Sequence, residues 1–181
     1  MAKLIQNRRV ATDNWLLLKA GSPPSVQGAG EDKSLPAVPV AGDVIVPLAL
    51  WLKERAALLA RIQGGHGRVG VWIEAGEAWD ALLPDLPQLP VIALNFPKFG
   101  DGRNLSTARL LRERYGYKGE LRAIGEVGYD LLLGMYRCGI DAYLLHDGED
   151  ADSALQAFGE LADKYQASVE EPQPLFRRRA A

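Results

Sequence analysis

Apolar positions along this chain come in short bursts between polar, glycine- and proline-bearing joints, and from Asp43 onward the bursts alternate in kind. Val44-Ile-Val46 is a continuous run stopped at Pro47, the pattern of a strand buried on both faces. Leu48, Leu52, Leu59 and Ile62, with Ala56, predict one apolar face of a following helix. The succession then repeats. Strands are predicted over 68–73, 89–96, 120–124 and 139–145. Helices are predicted over 76–83, 104–115, 127–138 and 151–165, the last with Leu155, Phe158, Leu161 and Ala162 on its inner face. Pro84 and Gly116 stand where two of these helices should stop. Strand–helix alternation at this spacing demands crossover connections, so the fold class is α/β: a mostly parallel sheet of about five strands with covering helices. An open twisted sheet is favoured over a partial βα barrel, and the pattern alone leaves both open.

The amino-terminal part reads differently. Apolar runs at Lys3–Gln6 and Trp15–Leu18 flank the polar segment 7–14, which predicts a hairpin over 1–19. Residues 20–42, with Gly21-Ser-Pro-Pro-Ser25 and Gly28-Ala-Gly-Glu-Asp-Lys33, have little to bury and read as a flexible loop that orders against a partner. The α/β core is expected over 43–167 and a basic tail over 168–181, all within a single domain of 1–181. That tail, Pro174-Leu-Phe-Arg-Arg-Arg179, is either a frayed end or a basic, aromatic dock for an acidic partner.

A formal charge of -2 and a pI near 5.7 provide no overall field for nucleic acid or an anionic membrane. The start of the chain lacks a signal-peptide core, and the apolar stretch 44–62 is interrupted by Lys53, Glu54 and Arg55, so a cytoplasmic protein is expected. One cysteine, Cys138, excludes an internal disulfide, a CxxC pair and a thiolate-ligated iron–sulfur cluster made by this chain alone. At a helix carboxyl end it is a poor nucleophile. No dinucleotide fingerprint is assigned, and the cofactor is left unknown.

The densest chemistry lies at Phe96-Pro-Lys-Phe-Gly-Asp-Gly-Arg103, where a predicted strand turns into a helix. Gly100 and Gly102 are free to take unusual angles, and Lys98 and Arg103 bring positive charge to the first free amides of the helix. Lys98, Asp101, Gly102, Arg103, Ser106, Arg109 and Arg112 are therefore the candidate anion-binding residues. The bland alternative is a tight turn in which Asp101 or Asn104 caps the helix and Arg109 pairs with Glu113. In parallel α/β folds the loops after the strands share one rim, which here also carries Glu74, Asn95, Gly125-Glu126 and His146-Asp147. Glu126 and His146 are the candidate acid–base residues. The run His146-Asp-Gly-Glu-Asp-Ala-Asp152 matches no metal-loop spacing, so no metal site is assigned, and Asp150 or Asp152 is expected to cap the last helix.

Several segments carry a family resemblance. Val46-Pro-Leu-Ala-Leu-Trp51, Phe96 to Arg103, Ser106 with Ala108 to Arg114, Gly119-Glu-Leu-Arg-Ala-Ile-Gly125 and Arg137-Cys-Gly139 together resemble the bacterial family catalogued as domain of unknown function 934, over roughly 44–179. Gly100 stands where that family often has threonine, and Glu126 where it often has aspartate. The resemblance implies a probable oxidoreductase or accessory protein of assimilatory sulfite reduction, because members are encoded beside the reductase; it transfers no catalytic residue. The implied partner is sulfite reductase or its electron donor. The alternative is a small α/β enzyme that binds an oxyanion through the 96–112 loop and helix.

Overall fold

A computed structural model describes residues 3–19, 35–160 and 164–178. Among these, eight strands form one mixed sheet in the order β2-β1-β8-β7-β6-β5-β4-β3. The strands are β1 (Leu4–Gln6), β2 (Arg9–Ala11), β3 (Leu16–Leu17), β4 (Val44–Pro47), β5 (Val69–Ile73), β6 (Val91–Phe96), β7 (Glu120–Gly125) and β8 (Ala142–Leu144). From β3 to β8 every neighbour is parallel, and β1 and β2 add an antiparallel edge.

The expected count of about five strands is too low, and the sheet curls as a half-barrel instead of lying open. Two physical facts explain the curl. Strands β3 to β8 follow one another in chain order, so right-handed crossovers place every connection on the same face and no reversal point exists. Ala11 in β2 and Leu16 in β3 also lie at opposite edges of the sheet, yet only five residues apart. Five residues reach at most ~18 Å, whereas a flat eight-strand sheet is ~34 Å from first strand to last. The edges must therefore approach one another.

The convex face carries α1 (Leu48–Gln63), α2 (Arg103–Glu113), α3 (Tyr129–Arg137), α4 (Ala151–Gln156) and two 3-10 segments, Asp80–Gln88 and Ala157–Gly159. Trp51, Leu82, Leu111, Leu132 and Phe158 pack there against Val46, Ile73, Leu94 and Tyr143 of the strands. The concave face holds a second cluster of Ile45, Trp72, Val91, Ala93 and Ile124, with Trp15 and Leu17 lying against it. Residues 12–15 strap across this face. Asp13 accepts from Arg122 of β7 at 2.9 Å, and the Arg68 guanidinium lies 4.7 Å from the Trp15 ring centre.

Several predicted elements change in detail. The hairpin pairs Leu4–Gln6 with Arg9–Ala11 through a two-residue turn at Asn7 and Arg8 (φ 50° and 60°), while Leu16–Leu17 joins β4 at the far edge. An exposed edge strand needs no apolar pattern, which is why Arg9–Ala11 escaped it. In α1, Leu52 and Ala56 are exposed and Trp51 and Leu58 are buried, because Glu54 leaves helical angles and turns the face. The helix predicted over 76–83 is instead a 3-10 segment that begins only at Asp80 and runs on through Pro84 and Pro87. The last predicted helix breaks into α4 and a 3-10 turn, with Asp150 capping Ser153 N–H at 2.9 Å. Leu161, Ala162 and residues 20–34 lie outside the described residues. A final turn, α5 (Leu175–Arg178), lies within the basic tail. No described helix is long and apolar enough to cross a membrane.

Candidate functional site

Parallel strands deliver their carboxyl ends to one rim, and there the side chains tie neighbouring strands together. Asn95, near the end of β6, donates to Glu74 just beyond β5 at 2.8 Å. Asn104, buried in the first turn of α2, donates to the Asn95 carbonyl at 2.8 Å and the Ile73 carbonyl at 3.4 Å, so it joins the ends of β5 and β6. Gly125 (φ 95°) ends β7 against β6. A Cβ there would lie 2.5 Å from the Phe96 oxygen and 2.6 Å from Asn95 Oδ1, so both its angle and the close approach require glycine.

The cationic loop is closed on itself. Arg103 donates from Nε to Asp101 Oδ1 at 2.9 Å and from its terminal nitrogen to Oδ2 at 2.6 Å, and the Arg103 amide reaches Oδ1 at 3.3 Å. Asp101 thus occupies the place at the start of α2 where an external anion would sit. The Arg103 hydrogen bonds, helped by Lys98, hold its carboxyl down to about 2. Gly100 has φ 85° and uses its freedom, but Gly102 sits at φ -88° where other residues fit. Asn104 does not cap α2; its amide serves the strands.

The remaining anion candidates do not converge on this loop. Ser106 is exposed further along α2. Arg109 pairs with Glu113 at 3.0 Å. Arg112 donates to the carbonyls of Tyr117, Gly119 and Gly139 and to Asp141 at 2.8 Å, so it braces the amino ends of the strands, away from the rim.

Glu126 and His146 do meet, at a cavity of about 140 Å³ that Phe99, Tyr129 and Glu149 also line. His146 Nδ1 lies 2.9 Å from the Asp147 carbonyl and Nε2 lies 3.2 Å from Glu149. Glu149 in turn faces Gly128, which precedes α3. Tyr129 donates its hydroxyl to Glu160, which pushes its ionisation upward. An adjoining cavity of about 150 Å³ is walled mainly by Phe96, Leu105, Leu131 and Met135, and it shares Asp130 and Leu131 with the first. Phe99 is 74% exposed on the loop beside them. The His146–Glu149 pairing follows from their three-residue spacing, a signal present in the sequence. The tie made by Asn104 left no such signal.

Among the described residues no group of three or more His, Cys, Asp and Glu side chains is placed to hold a metal. Burial pushes the Cys138 thiol up, consistent with an inert side chain.

No curated protein and no solved structure matches this chain. A family model does match, over residues 70–176, which includes the rim from β5 to α4 and leaves Val46–Trp51 outside the matched stretch. The chain belongs to the family described as bacterial protein of unknown function, DUF934.

Proposed function

We propose that this protein is an accessory component of assimilatory sulfite reduction that engages the reductase or its electron donor through the carboxyl rim. The observation that supports this choice over an oxyanion-binding enzyme is the Asp101–Arg103 pair. A sulfite or sulfate ion entering at the start of α2 must displace a carboxylate that already has a guanidinium and a backbone amide. Beside that closed pair the rim presents Phe99, an exposed aromatic of the kind enriched at protein contacts, with the exposed Lys98 next to it. The link to sulfite reduction draws on the family's gene neighbourhood.

The test is sulfite-dependent electron consumption by purified reductase from the same organism, with and without an equal concentration of this protein. The expected result is a faster turnover that Phe99→Ser removes without lowering the melting temperature. An unchanged rate with the parent protein overturns the proposal. A second reading, a small-molecule enzyme at the same rim, draws on the cavity where Glu126, His146 and Glu149 meet. It gains ground if sulfate stabilises the parent protein and Arg103→Ala abolishes that stabilisation.

A further inference from the structure

The carboxyl-terminal segment 164–178 forms a hook held at the amino end of β8, the opposite end of the sheet from the rim. Val169 donates its amide to the Arg137 carbonyl at the end of α3 (3.1 Å) and seats its side chain in the notch left by Gly139. A Cβ at Gly139 would lie 2.9 Å from that Val169 methyl. Ser168 is buried beside it. The hook then closes on itself, because Leu175 N–H donates to the Tyr165 carbonyl at 3.1 Å and Arg178 donates to the Lys164 carbonyl at 2.9 Å.

This closure displays an aromatic pair to solvent. Tyr165 and Phe176 have ring centres 6.4 Å apart and are 67% and 55% exposed. The Arg177 guanidinium stands 5.8 Å from the centre of the Phe176 ring and has no carboxylate partner among the described residues. The nearby acids are committed elsewhere. Glu171 holds Arg178 at 2.9 Å, and Glu170 faces Tyr136.

We infer that Tyr165, Phe176 and Arg177 form a docking site for an acidic peptide segment of a partner protein, one that places an apolar side chain on the ring pair and a carboxylate on the Arg177 guanidinium. Charge complementarity selects this occupant. A phosphate polymer or an anionic bilayer needs an extended basic field, which a chain with a net charge of -2 does not provide, whereas a short segment needs one local cation and one apolar contact. The hook is already ordered, so binding incurs little of the entropy that a free tail would lose. This surface goes beyond the rim and its reading, and its test does not involve the reductase.

The experiment titrates the full-length protein into a fluorescein-labelled peptide of alternating Asp and Leu at low salt and follows anisotropy. Saturable binding is expected, weakened about tenfold by Phe176→Ser and again by Arg177→Glu, as for truncation of a central aromatic or its charge partner. Val40→Ser, which alters an exposed apolar residue elsewhere, should leave the affinity unchanged. Both hook substitutions are at exposed positions and should keep the parent melting temperature. The inference fails if no saturable binding occurs, if Phe176→Ser and Arg177→Glu bind as the parent does, or if phosphatidylserine vesicles or a single-stranded oligonucleotide bind more tightly than the peptide.

Discussion

Asp85 has no exposed side-chain surface, yet it is charged, and its two partners explain why that is tolerated. Trp51 Nε1 donates to Oδ2 at 2.9 Å, and the Arg55 guanidinium engages both oxygens from a half-exposed position on α1. The Arg55 bonds, with help from Trp51, hold the carboxyl below the usual range despite burial. These contacts fasten α1 to the proline-bearing 3-10 segment, which Pro84 and Pro87 leave short of amide donors. Asp85→Ala strands the buried indole N–H and leaves the half-exposed Arg55 to solvent, and should cost about 2 kcal/mol in denaturant unfolding. Asp85→Leu, although it keeps the branched shape, should do no better, because the indole donor is still unsatisfied and the added volume has to be accommodated. A loss below about 0.5 kcal/mol in both variants would show that water replaces the carboxylate.

At the scale of elements, the carboxyl-terminal hook has its own pH dependence. Burial raises the Glu170 carboxyl to about 7 from an ordinary 4.5, against the opposing pull of Lys164, Arg8 and Arg137 and a hydrogen bond with Tyr136. A raised carboxyl binds its proton more tightly in the folded chain than in the unfolded one. Stability therefore falls as pH rises from about 4.5 to about 7 and then levels off. Because more than a third of the residue is exposed, solvent screening limits the effect to about 1 kcal/mol. Glu170→Gln should flatten that limb of the pH–stability curve and leave the variant the more stable protein at pH 8; a slope equal to the parent's would assign the dependence to another group. Elements such as this hook also mark where sequence reading stops. Strands β4, β5, β6 and β8 were legible because each reads as a short run dominated by buried apolar residues, and β7 because Leu121, Ala123 and Ile124 keep that signal around the buried Arg122. The partner of β1 was not, because Arg9–Ala11 is an exposed edge. The rim loop was legible as a cluster of residue types, but the Asp101–Arg103 closure depends on side-chain geometry that spacing does not encode, and the same pattern fits an open anion site equally well.

At the scale of the whole molecule, the half-barrel depends on what happens inside its curve. Arg122, with 2% of its side chain exposed, projects into the concave face and is paired with Glu120 at 2.6 Å and Asp13 at 2.9 Å, while Gln6 of β1 donates to the other Glu120 oxygen at 2.6 Å. One buried guanidinium thus links β7, the penultimate strand β1 through Glu120, and the strap that runs between the two edges. The strap's other fixed point is Trp15, held by the Arg68 guanidinium and packed with Ile45 and Trp72. Since the strap spans the curled sheet and not its hydrogen-bonded centre, releasing it should open the edges before the middle. The double substitution Asp13→Ala with Trp15→Ala should lower hydrogen-exchange protection in β3 and in the β1–β2 pair while β5, β6 and β7 keep theirs, as expected where local opening costs less than global unfolding. If protection instead falls equally across all eight strands, the strap is part of one cooperative unit with the core, and the curl is set by the parallel strands alone.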